Sequence, residues 1–122
     1  MISVYADVAT QRLDLKVKQA VTEADLQKLL ADVKSEIAKL RPGWVMAGDY
    51  RGLKVVDPKL NSYIGEIQKA VAAGKPRKIA SLFDSVIFRM QLQMNPNANA
   101  YKDITKRFDN EQEWAAYLAQ PQ

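Results

Sequence analysis

The stretch from Pro42 to Lys59, PGWVMAGDYRGLKVVDPK, decides how the rest of the chain is read. Trp44-Val45-Met46-Ala47-Gly48 is apolar at every position, the pattern of an interior strand covered on both faces rather than one with a wet side. Asp49-Tyr50-Arg51-Gly52 then turns the chain. Asp57-Pro58 opens a helix, the carboxylate accepting N–H groups that the first turn leaves unpaired and the proline standing where its missing N–H costs nothing. A buried strand passing through a corner into a helix is half of a β-α-β unit.

Upstream, Leu26, Leu29, Leu30, Val33, Ile37 and Leu40 recur at helical spacing, with Thr22 and Asp25 placed to cap the start and Arg41-Pro42-Gly43 to end it. Before that helix, Ile2–Ala6 and Arg12–Lys18 alternate with period two across a short polar connection, which predicts an antiparallel hairpin. Its second strand sends Leu13, Leu15 and Val17 one way and Arg12, Asp14, Lys16 and Lys18 the other. Downstream, Leu60, Ile64, Ile67 and Val71 form a helical stripe that Gly74 stops. Ile79–Phe83 reads as another buried strand. Asp84-Ser85 caps a third helix through Met94, Asn95-Pro96-Asn97 breaks it, Ile104–Phe108 is a last strand, and Trp114, Tyr117 and Leu118 share a face of a closing helix. The order is ββαβαβαβα, an α/β fold with a hairpin leading into a mostly parallel sheet with right-handed crossovers.

The 122 residues, 48% hydrophobic and 26% charged, suit one domain spanning residues 1–122 and leave no room for a second. No apolar run reaches the roughly 20 residues of a membrane span, and Met1 leads straight into strand-like sequence, so a cytoplasmic protein is expected. With no cysteine and no histidine, disulfides, thiolate and imidazole catalysis and the common zinc sites are excluded. No metal or cofactor is expected. The net charge of +4 arises after Leu40, because residues 1–40 hold six bases and six acids. Seven bases between Lys75 and Arg107 face only Asp84 and Asp103, enough for weak attraction to anions but without the dense basic run of a nucleic-acid arm.

The succession PGWVMAGDYRGLKVVDPKLNSYIGEIQKAVAAGKPRKIASLF followed by DSVIFRMQLQM, with the order of elements and the size, resembles the STAS domains typified by anti-sigma-factor antagonists, the SpoIIAA-like fold. The likeness runs over nearly the whole chain and rests on pattern. It implies a protein-interaction module of a bacterial regulatory type, not an enzyme. In that family an Asp-Ser-Ser/Thr-Gly motif at the start of the second long helix carries a phosphorylated serine. Asp57 matches its aspartate, but Pro58-Lys59 stand where the hydroxyl should be, so the phosphorylation switch does not carry over. Related short bacterial proteins are grouped with lipid-binding Sec14-like folds, which implies the alternative of an apolar ligand.

Two candidate sites follow. Asp49, Arg51, Asp57, Lys59, Asp84 and Ser85 should lie on the rim at the carboxyl ends of the strands, where open parallel sheets place their ligands. The plainer reading makes Asp57 and Asp84 helix caps, Gly52 a turn residue, and Asp49–Arg51 a surface pair contributing little. The third helix is apolar around almost its whole circumference. Phe88, Met90 and Leu92 are therefore expected to meet a second copy of the chain or a protein partner, to be covered within a tight fold, or to line a place for an apolar molecule beneath the helix.

Overall fold

The computed structural model describes residues 1–121. Strands β1 (Ile2–Asp7) and β2 (Arg12–Val17) form the antiparallel hairpin, and β3 (Val45–Asp49), β4 (Lys78–Leu82) and β5 (Thr105–Phe108) add to it in parallel in the order β1-β2-β3-β4-β5. The connecting helices are α1 (Glu23–Ile37), α2 (Asn61–Ala73) and α3 (Val86–Met94), and α4 (Glu111–Ala119) closes the chain. A strand order that follows the sequence, with crossovers of one hand, sends every connection across the same face. Accordingly Leu26, Leu29 and Val33 of α1, Ile64 and Val71 of α2 and Phe88 of α3 share one core with Leu13, Leu15, Val17, Met46 and Ile79. The other face is wet under the hairpin, where Arg12 pairs with Asp14, and is covered over β4 and β5 by α4.

Local chemistry accounts for the element ends. Thr22 and Asp25 form a reciprocal capping box at α1. Asp57 accepts from Lys59 N at 3.0 Å, but what it opens is a 3-10 turn (Pro58–Leu60) that runs into α2. Gly74 ends α2 for want of space rather than by its backbone angle. Its φ is −76°, and an added Cβ would lie 2.7 Å from Ile37 and 3.1 Å from Trp44, whose Nε1–H donates to Gly74 O at 2.7 Å; Lys75 takes the left-handed turn. At Gly52 a left-handed φ of +92° is needed, and a Cβ there would come 3.2 Å from the Lys18 carbonyl. Between α3 and β5 the chain makes 3-10 turns over Pro96–Ile104, an element without a hydrophobic period to announce it.

β3 is buried at all five positions, Val45–Gly48 as their apolar sequence predicts and Asp49 against expectation, and β4 is buried throughout, including Lys78. The Lys78 ammonium donates to Tyr117 O and lies 4.2 Å from the Tyr117 ring centre. Burial, with the charge of Arg77, lowers its pKa.

Candidate functional site

The rim expected at the strand ends forms only in part, and its charges are turned inward. Asp49 is not a surface residue: it is 2% exposed, on the sheet face that α4 covers. The parallel register sets Lys16 opposite Asp49, so Lys18, just beyond the end of β2, reaches its Oδ2 at 3.2 Å. Arg51 donates to both carboxylate oxygens, from Nε at 3.0 Å and Nη2 at 2.8 Å, and its backbone N–H adds a third bond at 3.2 Å. Its Nη1 reaches Glu111 at the start of α4 at 2.7 Å. Burial alone would raise the Asp49 pKa, but the bonds from Arg51 and Lys18 outweigh it and hold the pKa at about 2. Arg51 is correspondingly raised, first by its bonds to Asp49 and then by Glu111. The expectation of a weak surface pair is thus corrected: this pair ties the ends of β2 and β3 to α4.

Asp84 is not the cap of α3. Ser85 has that role, accepting from Phe88 N at 3.2 Å and donating to Lys54 O at 2.8 Å. The Asp84 carboxylate instead accepts from Gly52 N–H at 3.0 and 3.1 Å and pairs with Lys54 at 3.8 Å, holding the corner of the Asp49–Gly52 turn. Asp57 and Lys59 belong to the 3-10 turn, where the Asp57 carboxylate accepts from Lys59 N. Asp49, Arg51, Asp84 and Ser85 are therefore occupied in joining loops to elements, and among the described residues no group of three or more acids is arranged to hold a metal ion.

On α3 the structure reverses the expected faces. Phe88 is 3% exposed, packed against Tyr50 and Phe83 with ring centres 5.7 and 6.0 Å away, and Leu92 lies against the same core. Of the three residues assigned to an interface, only Met90 is on the surface. It is joined there by Val86, Ile87 and Met94, which are 61 to 77% exposed. The reason is the helical angle: Val86, Met90 and Met94 recur every four residues with Ile87 beside them, while Phe88 and Leu92 form the opposite ridge. A nine-residue helix apolar on both ridges gives no clear phase in the sequence.

Beside the exposed ridge runs a groove of about 630 Å³, floored by Ile87, Met90 and Met94 and walled by Pro58, Asn61 and Pro96. It is rigidly bordered. Gln91 accepts from Val56 N at 3.0 Å and donates to Val56 O at 2.7 Å and to Asn61 at 3.0 Å, fastening the loop before α2 to α3. Beneath the helix, Phe88 and Leu92 help to enclose a cavity of about 70 Å³ with Tyr50, Gln68 and Tyr101. That is less than half of the roughly 150 Å³ that admits benzene. The Gln68 amide donates to Leu92 O at 3.1 Å, whereas its Oε1 is buried without a partner among the described residues, a suitable place for one ordered water.

The seven bases between Lys75 and Arg107 do not make one surface. Lys78 is inside under α4, while Arg89 and Arg107 are half-buried on the α3 side. No helix among the described residues is long and apolar enough to cross a membrane. No family model matches the chain, and neither the curated proteins nor the solved structures compared with it contain a match.

Proposed function

We propose that this protein is a non-catalytic interaction module of STAS type that docks a partner protein on the outer ridge of α3. One observation carries the reading: Val86, Ile87, Met90 and Met94 stand exposed side by side although Phe88 and Leu92 already close the core beneath them. Folding requires none of the four on the surface, and a contiguous apolar patch beside a groove is the usual mark of a recognition site. Two methionines suit such a surface because their unbranched, polarizable side chains adapt to the shape of a partner. A segment lying along α3 would fill the groove between the helix and Pro58. The acids that chemistry would need are engaged: Asp49 by Lys18 and Arg51, Asp84 by Gly52 and Lys54. A lipid-like occupant would need far more room than the 70 Å³ beneath the helix.

The test uses peptides selected from a random display library against the folded protein. Selected peptides should bind the wild type and lose about tenfold or more in affinity for Ile87→Asp combined with Met94→Asp. The double variant should keep its Tm within a few degrees, since both residues are exposed. Equal binding to both proteins would show that the ridge is not the docking surface.

A further inference from the structure

Gln68 stands on the buried ridge of α2 between Ile64 and Val71, where an apolar side chain would serve packing as well. It is 5% exposed, and its amide is only half used. The Nε2–H donates to Leu92 O at 3.1 Å, whereas Oε1 is buried without a hydrogen bond among the described residues. Turning the amide over would set Oε1 against the Leu92 carbonyl, so the free acceptor stays directed away from it. A buried acceptor left unpaired is costly, and a native core retains one where something answers it. Gln68 lines the cavity of about 70 Å³ beneath α3. The other polar groups of its wall are the phenols of Tyr50 and Tyr101, and among the described residues no charged side chain borders it. Burial raises both phenols above their ordinary range, so this lining is neutral at pH 7. The Tyr50 ring lies over Gly48, where a Cβ would stand 2.8 Å from the hydroxyl, so glycine at this place in β3 leaves room for the phenol. The rest of the wall is largely aliphatic, from Leu15 and Val17 of β2, Leu29 of α1 and Ile64 and Val71 of α2.

One water would answer Oε1, but space between aliphatic walls stays dry and accepts apolar matter. A second space of about 40 Å³ shares Met46, Tyr50, Gln68, Leu92 and Tyr101 with the first and is bordered besides by Arg107. At the roughly 25 Å³ per heavy atom implied by benzene in a 150 Å³ cavity, the first space holds about three heavy atoms and the two together about four. We propose that the space around Gln68 is a binding site for a small neutral molecule of about four heavy atoms, with an O–H or N–H that donates to Gln68 Oε1 and a short apolar body against the aliphatic wall. A short-chain alcohol or a simple amide has this form. A ketone of the same size brings no donor, and a carboxylate would set its charge against Oε1. Val21 and Leu53 belong to the loops before α1 and after β3, so a movement of loops is enough to open the wall. The site does not depend on the docking surface, because it lies on the inner side of α3, against Phe88 and Leu92.

The experiment titrates isotopically labelled protein with 2-propanol, acetone and acetate, which match in size, and follows the methyl resonances of the wall. 2-Propanol should give saturable shifts at Leu15, Val17 and Val71 with a Kd of about 1–10 mM, within the range that so few atoms allow. Acetone and acetate should bind about tenfold more weakly or not at all, and Gln68→Met, which keeps the volume without the acceptor, should weaken 2-propanol by the same factor. Should that variant fail to fold, the contrast between 2-propanol and acetone on the wild type decides alone. Equal binding of acetone, or undiminished binding to a folded Gln68→Met, would overturn the proposal, since no donor is then being read. A preference for acetate would mark an anion beside Arg107 and overturn it as well. No saturable shift at the wall, or shifts confined to the exposed Ile87 and Met90, would mean that the space holds water alone.

Discussion

Phe88→Ala is expected to destabilise the protein by about 3–5 kcal/mol, a fall of roughly 10–20 °C in Tm, whereas Ile87→Ala on the same turn should change stability by no more than about 0.5 kcal/mol. Phe88 is the only fully buried side chain that α3 sends into the core. Tyr50 and Phe83 stack at 5.3 Å and Phe88 tilts against both, so truncation removes two ring contacts besides the buried area. It also enlarges a space of about 70 Å³ that already lies beside the ring, and the backbone there is fixed by Gln91 and by the Ser85 cap, so the gap cannot readily close. Chemical denaturation of the two variants checks the contrast. A mild Phe88→Ala together with a severe Ile87→Ala would mean that the two ridges of α3 are assigned the wrong way round, and the docking surface with them.

Acid should unfold the wild type in a way that Asp49→Asn does not reproduce. The carboxyl sits at about 2 when folded and near 3.9 in an unfolded chain. A folded pKa below the unfolded one adds stability that is complete above about pH 5 and is lost as the pH falls through 4 toward 2. A shift of this size corresponds to about 2.5 kcal/mol, and about 2 is a fair expectation because Lys18 and Arg51, each about a third exposed, are partly screened by water. Asparagine keeps the shape and loses the charge. The variant should therefore be about 2 kcal/mol less stable at pH 7 and equal to the wild type near pH 2. A gap that stays constant across this range would mean that Asp49 contributes packing and not charge.

Residues with an unambiguous period or cap reveal their structure from the sequence. The hairpin alternation, the α1 ridge with its Thr22 cap, the apolar run into Gly48 and the Asp57-Pro58 turn all have a single physical reading, and together they dictate the order of strands and helices. The candidate sites were less legible. Asp49 stands at a strand end, where a carboxylate ordinarily meets water; its burial depends on the register that brings Lys18 alongside and on α4 crossing that face, neither of which is a local property. Asp84 beside Ser85 offers two caps for one helix, and the Gly52 amide, distant in sequence, settles which is used. The two ridges of α3 differ only in phase, and a nine-residue helix is too short to fix it. The α/β class, with an antiparallel hairpin leading into a parallel sheet joined by helices, is the part of the fold that local pattern conveys.

We propose that a partner protein sits on the outer ridge of α3. The most direct test is to place a photo-crosslinking amino acid at position 87, at position 94 and, as a control, at position 34 on the exposed side of α1, and to irradiate cells in which the protein performs its normal task. The same discrete protein adduct is expected from positions 87 and 94 and none from 34. An adduct of equal yield from position 34, or none from either α3 position, would contradict it.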